Sequence, residues 1–268
     1  QEALREEIQK VKKFTNKPFG VNFSISKYGR PYEEFVEVAI EEEVPVVSVT
    51  GGNPEPFFKL IGGVPVKKLV LTASKRQAQK AESLGADAVI VVGQEGGGHI
   101  GRDDTSTMVL VPQVVDAVSI PVIASGGIGD GRGLMAALCL GAEGIEMGTR
   151  FIATKECVHA HPAYKEALVK GSETDTVVIK RTIGAPGRVI RNHWAEQILD
   201  IEEKFGTYEM LRSYISGEAN KRFIYDGNTE QGFAWAGQAM GLIRDVPAVK
   251  ELIQRMIKEA EMIRKRWG

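Results

Sequence analysis

Two apolar segments of this chain end in glycine-rich turns, and a helix-like stretch separates them. The segments cover residues 120–128 and 144–151, and their turn residues are Ser125, Gly126, Gly127, Gly148 and Thr149. In a (β/α)8 barrel, the loops after strands 7 and 8 often form a phosphate site from backbone N–H groups. Glycine lets that backbone approach a phosphate, and a nearby helix N-terminus adds partial positive charge. The pair therefore predicts a phosphate-bearing cofactor or substrate.

Strand-like segments recur along the chain with helix-like segments between them, which predicts a parallel α/β sheet. They are short, apolar and rich in β-branched residues, as strands buried on both faces are. The six candidates cover residues 19–24, 45–50, 68–72, 86–92, 120–128 and 144–151. Six strands suit an open doubly wound sheet, but strands 7 and 8 of a barrel need two more upstream. We therefore expect a (β/α)8 TIM barrel that lacks its first two βα units in this chain.

The pattern changes after the last strand candidate. Residues 154–224 are richer in charged and aromatic side chains and are predicted to form mostly helices and loops. The end of the chain returns to an amphipathic helix, whose apolar face comprises Val249, Leu252, Ile253, Met256, Ile257, Ala260 and Ile263. We expect a barrel domain of residues 1–153 and 232–268, with a helical cap or substrate domain of residues 154–231 after the last strand.

Composition limits the partners of the chain. It has 268 residues, with 34 Lys and Arg against 35 Asp and Glu, so its net charge of −1 gives no reason to expect nucleic acid or a membrane surface. Cys139 lies in an apolar helix and is predicted to be a buried core thiol, and Cys157 follows a strand end. Two such cysteines form no disulfide framework, so a cytoplasmic location is the expectation. The sequence leaves open whether the chain forms a homodimer.

His99 follows the fourth strand candidate inside a glycine loop, Gly96-Gly97-Gly98-His99. Residues at the carboxyl ends of barrel strands face the active-site side, and imidazole is the commonest proton-transfer group. Consecutive glycines suggest that something approaches this backbone closely. We therefore predict a catalytic role for His99, against the alternative of a structural histidine.

Other polar residues have two interpretations each. Asn22 and Ser24 end the first strand candidate and could bind a ligand, and Gln238 follows Trp235 in a segment of small residues. That segment suits either contact with a flat ring or a tightly packed helix start. Asp103 and Asp104 suit either ligand binding or helix capping by Asp104 or Thr105, while His159, His161 and His193 are expected to be structural.

The combination of motifs resembles the nitronate monooxygenase (2-nitropropane dioxygenase) family. The resemblance rests on Gly97-Gly98-His99-Ile100-Gly101, Leu110-Val111-Pro112-Gln113, Ala124-Ser125-Gly126-Gly127-Ile128 and Gly148-Thr149-Arg150-Phe151, with Phe19-Gly20-Val21-Asn22 and His161-Pro162 in support. It extends over nearly the whole chain. Each glycine motif is weak alone, and the set is specific.

The resemblance implies an FMN-binding barrel with a helical cap. It places the FMN phosphate on Ser125, Gly126, Gly127, Gly148 and Thr149, and the flavin along Ser24 and the glycines Gly97 and Gly98, with Asn22 and Gln238 as further cofactor-binding candidates. His99 would be a base or an orienting group for the substrate. An opening strand that touches the flavin is absent here, and Leu71 stands where some members have a flavin-contacting lysine.

The resemblance leaves three functions open. The first is oxidation of alkyl nitronates by O2, with a nitroalkane as precursor if His99 removes its proton. The second is reduction by NAD(P)H of a quinone or an enoyl-acyl-carrier-protein, as in related FMN-dependent reductases. The third is an inactive truncated remnant that binds a phosphate or flavin ligand weakly. Fold and cofactor alone do not fix the reaction.

Overall fold

A computed structural model describes residues 1–25 and 31–266 of the chain. The strands in this part of the chain are β1 (Gly20–Ser24), β2 (Val46–Thr50), β3 (Lys67–Thr72), β4 (Ala88–Val92), β5 (Gly98–His99), β6 (Val122–Ser125), β7 (Gly144–Glu146), β8 (Thr176–Ile179) and β9 (Gly187–Ile190). The α-helices are α1 (Glu2–Phe14), α2 (Glu33–Glu41), α3 (Glu55–Leu60), α4 (Lys75–Ser83), α5 (Thr107–Val115), α6 (Gly131–Cys139), α7 (Thr149–Ile152), α8 (Pro162–Lys170), α9 (His193–Lys204), α10 (Tyr208–Leu211), α11 (Gly217–Ile224) and α12 (Val249–Lys265). A 3-10 helix covers Gln238–Leu242.

Six of these strands form one parallel sheet in the order β1-β2-β3-β4-β6-β7. In its register, Gly20 of β1 lies opposite Val46 of β2, and Val46 lies opposite Lys67 of β3. Strands that follow one another along the main sheet are neighbours with helices between them, which is the strand order of a (β/α)8 barrel. The six predicted strands are thereby confirmed.

The chain divides into two compact units. The first consists of Gln1–Val91 and Gln113–Ile123, and the second of Val92–Pro112 and Ala124–Gly268. The division falls within β4 and β6, so each of these strands contributes residues to both units. The division into a barrel of residues 1–153 and 232–268 and a cap of residues 154–231 stays a prediction.

The first unit has a core of apolar strand residues. Val49 of β2 and Val89 of β4 are almost fully buried, because strands covered on both faces have no polar side. The ring of Phe23 lies 5.2 Å from that of Phe57 on α3, centroid to centroid. Helix α4 begins after the N-cap Ser74, whose hydroxyl accepts a hydrogen bond from the Gln77 backbone N–H.

The second unit contains a three-stranded antiparallel sheet that the sequence did not indicate. Its order is β5-β9-β8, and helices α8 to α11 accompany β8 and β9 in sequence. The expectation that residues 154–224 form mostly helices and loops was therefore incomplete. The two longer strands have four residues each, too few for a clear alternating pattern, and β9 carries the buried Arg188.

Two predictions about helix faces need correction. Cys139, at the end of α6, is exposed rather than buried. Helix α12 buries Leu252, Met256 and Ala260, whereas Ile253 is 42% exposed and Ile257 is 48% exposed, so the buried face is narrower than the apolar one. No helix in the part of the chain that the structure describes is long and apolar enough to cross a bilayer.

Candidate active site

The glycine loop after β4 packs tightly against the segment that precedes the 3-10 helix. A Cβ on Gly97 would lie 2.5 Å from the backbone N of Gly237 and 2.7 Å from the carbonyl C of Ala236. A Cβ on Gly96 would lie 2.7 Å from a side-chain carbon of β4. Gly98 differs, because its φ is +80° and a Cβ there would have no neighbour within 4 Å. The close approach predicted from the glycines is therefore made at Gly96 and Gly97 by the chain itself.

His99 follows this loop on β5 and is exposed. Antiparallel pairing with β9 places it opposite Gly187. Its ring lies 5.1 Å from the ring of Trp235, centroid to centroid, and its Nε2 lies 2.7 Å from Nζ of Lys180. Trp235 and Lys180 thus contact His99, the histidine for which the sequence predicts a catalytic role.

Lys180 directly follows β8 and has an unusual backbone conformation. Its φ is +65°, a value that non-glycine residues seldom adopt, and the residue is only 6% exposed. The Glu202 carboxylate fixes this turn by accepting hydrogen bonds from the Lys180 N–H at 2.6 Å, the Thr182 N–H at 3.1 Å and the Thr182 hydroxyl at 2.9 Å. Nζ of Lys180 lies 4.9 Å from the Trp235 ring centroid, within cation–π range.

The surroundings of both side chains lower their pKa values. His99 keeps an exposed edge, but the protein around the rest of its ring and, second, the charge of Lys180 lower the pKa of His99 from 6.5 to about 4. Burial lowers the pKa of Lys180 from 10.5 to about 8, against the attraction of Glu202. Near neutral pH, Lys180 is therefore mostly protonated and His99 is neutral.

Glu95 connects the glycine loop to three other segments. Its carboxylate accepts hydrogen bonds from the Thr107 N–H at 3.0 Å and the Thr107 hydroxyl at 2.9 Å, and so caps α5. Its backbone carbonyl accepts a hydrogen bond from the Gln238 N–H at 2.9 Å. A Cβ on Gly127 would lie 3.3 Å from Cβ of Glu95. Glu95 thus joins the loop before His99 to α5 and the turn after β6 through its side chain, and to the 3-10 helix through its backbone carbonyl.

The turn after β6 has two consecutive glycines in the left-handed region, with φ of +97° at Gly126 and +74° at Gly127. The carbonyl of the buried Ser125 accepts a hydrogen bond from the Gly93 N–H at 3.1 Å. Within residues 1–25 and 31–266, the N–H groups of Gly126 and Gly127 donate no hydrogen bond to a protein group. This turn therefore offers backbone donors.

The turn after β7 lies on the same cluster. The Thr149 hydroxyl accepts a hydrogen bond from the Gly237 N–H at 2.9 Å, so Thr149 contacts the segment that covers Gly97. A Cβ on Gly148 would have no neighbour within 4 Å. As judged from the described part of the chain, its N–H also lacks a protein acceptor. The structure therefore brings Gly97, Gly127, Thr149 and Gln238 together around Glu95 and Gly237.

The helix N-terminus that follows the Gly126 turn does not add free donors. The Asp130 carboxylate accepts hydrogen bonds from the backbone N–H groups of Arg132 at 2.9 Å and Gly133 at 3.4 Å. The Gly131 N–H donates to the Glu259 carboxylate at 2.8 Å. Two carboxylates thus occupy this end of α6, and the partial positive charge expected from it is already compensated.

Comparison with known proteins shows the family of this chain. A family model described as nitronate monooxygenase matches residues 23–259. The chain belongs to the nitronate monooxygenase family. The resemblance identified from the glycine motifs is therefore confirmed, and the chain is an oxidoreductase.

Two curated proteins and one solved structure show which kinds of protein this family member is similar to. A probable nitronate monooxygenase of Staphylococcus saprophyticus is 36% identical over 88% of this chain and 68% of its own length. A hydroxy-methyl-oxo-octahydroindene-carboxyl-CoA dehydrogenase of Mycobacterium tuberculosis is 34% identical over 97% of this chain and 82% of its own length. The structure of FabK from Thermotoga maritima is 40% identical, has a TM-score of 0.91 and covers 98% of this chain and 82% of that one. The TIM-barrel fold class is thereby confirmed.

Asn22 and Ser24, two other predicted cofactor residues, belong to the first unit. Asn22 lies on β1, and its side-chain oxygen accepts a hydrogen bond from the Ser48 hydroxyl at 2.8 Å. Ser24 is the last residue of β1 and lies opposite Thr50. Their roles in this nitronate monooxygenase family member stay predictions.

Several polar residues with two interpretations make contacts within the protein. Asp104 forms an ion pair with Arg181 at 2.8 Å, and Glu95 rather than Asp104 or Thr105 caps α5. His161 caps α8, because its Nδ1 accepts a hydrogen bond from the Ala163 N–H at 3.2 Å. The Trp235 ring packs on His99 and Lys180.

Sequence reasoning missed Lys180, Arg188, Glu202 and Glu95. Arg188 is buried, and its Nη2 and Nε donate to the Gln94 carbonyl at 2.9 Å and 3.1 Å, which ties the glycine loop to β9. Burial, first among the causes, lowers the pKa of Arg188. Only Glu95, a carboxylate inside the glycine loop, had a sequence signal. The contacts of the other three depend on the tertiary fold.

Proposed function

We propose that this chain is an FMN-dependent nitronate monooxygenase that oxidises alkyl nitronates with O2 to a carbonyl compound and nitrite. The observation that carries the proposal is the set of backbone N–H groups at Gly126, Gly127 and Gly148, which have no protein acceptor among the described residues and lie close to the loop that bears His99. A phosphate is bound by several backbone N–H donors at residues without a side chain that blocks its approach, and the three glycines offer such donors. Family membership supplies the class of reaction.

FMN fits the residues at these turns. A Cβ on Gly148 would meet nothing within 4 Å, so the backbone there borders open space that a phosphate can fill. The proposed phosphate site comprises Ser125, Gly126, Gly127, Gly148 and Thr149, and the proposed flavin contacts are Asn22, Ser24, Gly97, Gly98 and Gln238. When bound, FMN supplies the electron transfer, while the protein binds and orients the substrate and limits the access of water.

An anaerobic titration tests the proposal directly. Purified protein is reconstituted with FMN, and its absorbance is recorded as propyl-2-nitronate, NADH or NADPH is added. We expect bleaching of the flavin spectrum by the nitronate alone, followed by release of nitrite when O2 is admitted. Protein that binds no flavin, or flavin that the nitronate does not reduce, would contradict the proposal.

The role of His99 is tested by His99→Ala. The variant should keep its FMN, because the phosphate turns are left intact, and should lose about 100-fold in kcat/KM for the nitronate through misplacement of the substrate. His193→Ala, which removes an exposed contact to Gln197 on α9, is the matched control. Equal turnover by wild type and His99→Ala would remove His99 from the site.

The phosphate site is tested by Gly148→Ala. Its added methyl has free space in the cofactor-free protein, so stability should stay within about 0.5 kcal/mol of wild type, while the Kd for FMN rises about tenfold or more as the methyl meets the phosphate. Gly217→Ala on α11 also adds a methyl with no neighbour within 4 Å and serves as the control. Unchanged FMN affinity in Gly148→Ala would exclude this turn from the cofactor site.

A second candidate is an FMN-dependent dehydrogenase or reductase that uses a nicotinamide. Two observations favour it: the 34% identity to a carboxyl-CoA dehydrogenase over 97% of this chain, and the 40% identity to FabK. In the same titration, rapid bleaching by NADH or NADPH with none by the nitronate would select this candidate. A quinone and an enoyl thioester would then be compared as oxidants.

A further inference from the structure

The contact between Lys180 and His99 fixes which ring nitrogen carries the proton. Nζ of Lys180 lies 2.7 Å from Nε2 of His99. A lysine ammonium donates hydrogen bonds and accepts none, so Nε2 must be the acceptor. The neutral imidazole then carries its proton on Nδ1. The lone pair with which His99 could act as a base is already engaged.

The position of Lys180 is itself fixed at both ends. Its backbone N–H donates to the buried Glu202 carboxylate at 2.6 Å, and its ammonium lies over the Trp235 ring at 4.9 Å. Glu202 is the acidic group that faces this turn, whereas the neighbouring Arg181 turns to Asp104 at 2.8 Å. Lys180 is only 6% exposed, and its side chain loses little further entropy on contact with His99 because it is already held in one place.

We propose that Lys180 is a positioning residue that keeps Nε2 of His99 occupied and makes the His99–Lys180 pair a cationic hydrogen-bond donor for an anionic substrate oxygen. This inference rests on the proposed function and refines its substrate. The chain would act on a preformed nitronate, which is already an anion. A neutral nitroalkane would be a poor substrate, because removal of its proton needs a free base. The role differs from the proton abstraction expected of His99 from the sequence.

The tautomer and the charge of His99 are measured first, by NMR on protein without cofactor. The chain has four histidines, so the 15N signals of labelled imidazole are few, and His99→Gln assigns them. We expect the Nδ1–H tautomer in wild type and a pKa well below 6.5. In Lys180→Met, the pKa of His99 should rise by about one unit or more, because a like charge within about 4–6 Å is removed. Lys180→Arg keeps the charge and should keep the pKa low.

Lys170→Met is the matched control, since Lys170 is an exposed lysine of the same unit that pairs with Glu166 on α8. It should leave the titration of His99 unchanged. An Nε2–H tautomer of His99 in wild type would overturn the proposal, whatever the Lys180 variants show. A His99 pKa that is equal in wild type, Lys180→Met and Lys180→Arg would overturn it as well.

Kinetics with the reconstituted enzyme provide the second readout. In Lys180→Met, the KM for propyl-2-nitronate should rise about tenfold with a smaller change in kcat, because a cation no longer supports the anion. Turnover of neutral 2-nitropropane should increase, because Nε2 is released. Lys180→Arg should restore the low KM. A lower kcat with an unchanged KM, or wild type that turns over 2-nitropropane as fast as its nitronate, would refute the role of Lys180.

The two proposals fail in different ways. If wild type oxidises no nitronate, the proposed function fails, while the NMR titration still decides whether Lys180 controls His99. If wild type oxidises the nitronate and the titration shows no effect of Lys180, only the positioning role is refuted.

Discussion

Gly97→Ala tests the close packing that places the glycine loop. The new methyl would lie 2.5 Å from the backbone N of Gly237, 2.7 Å from the carbonyl C of Ala236 and 3.0 Å from its Cα. Carbon atoms pack at about 3.5–4.0 Å, so one of the two backbones must move by about 1 Å. The Gly237 segment resists this movement, because its N–H donates to the Thr149 hydroxyl at 2.9 Å and the next N–H donates to the Glu95 carbonyl at 2.9 Å.

The cost follows from these contacts. Overpacking costs about 1–3 kcal/mol, and weakening of two hydrogen bonds adds about 1 kcal/mol each. The reduced entropy of the unfolded chain returns about 0.4–1 kcal/mol. We expect Gly97→Ala to lower the free energy of unfolding by about 2–4 kcal/mol.

Denaturation by urea, followed by tryptophan fluorescence on protein without cofactor, measures this loss. Gly98→Ala is the matched comparison, because its methyl has no neighbour within 4 Å and its cost of about 1–2 kcal/mol comes only from the positive φ of +80°. A Gly97→Ala protein within about 0.5 kcal/mol of wild type would refute the argument. A larger loss in Gly98→Ala than in Gly97→Ala would refute it equally.

Three further outcomes concern the small antiparallel sheet. Glu202→Gln should lower the free energy of unfolding by about 1–3 kcal/mol, because a buried charged acceptor of three hydrogen bonds is lost. Glu203 is exposed, so Glu203→Gln should leave the stability unchanged. Equal denaturation midpoints of the two variants would contradict this. The pKa of Lys180 is lowered from 10.5 to about 8, so between these values the folded chain binds fewer protons than the unfolded chain, and its free energy of unfolding should rise with pH. In urea titrations, the free energy of unfolding of wild type relative to Lys180→Met should rise by about 2 kcal/mol from pH 8 to pH 10. If the difference between the two proteins stays constant over this range, Lys180 titrates normally. Arg188→Met should cost about 2–3 kcal/mol by leaving buried acceptors unpaired, and a loss no greater than that of the exposed Arg181→Met would contradict this.

The strands of the main sheet could be predicted because their signal is local. β2 and β4 are short apolar runs of β-branched residues between helix-like segments, and such runs form strands when both faces are covered. The buried valines Val49 and Val89 confirm this reading. The antiparallel sheet could not be found in the same way, because β5 has two residues and takes its identity from its pairing with β9.

The glycine loop shows how one signal can have two causes. The sequence indicated a close approach to Gly96-Gly97-Gly98, and the structure has one at Gly97, where the partner is Ala236 and Gly237. Only the tertiary structure distinguishes this position from Gly98 and Gly148, whose backbone is open. A glycine in the sequence thus indicates a constraint on the backbone, but it does not show whether a ligand or the protein itself imposes it.

The sequence by itself determined the parallel α/β fold and the two glycine turns and singled out His99 as a candidate, because each depends on residues that are neighbours along the chain. The tertiary structure decided the surroundings of His99. Its partner Lys180 lies 81 positions away in the sequence, and the Arg188 that ties down the loop lies 94 positions from Gln94. Burial and the distance between two charges set a pKa, and neither is defined until the chain has folded.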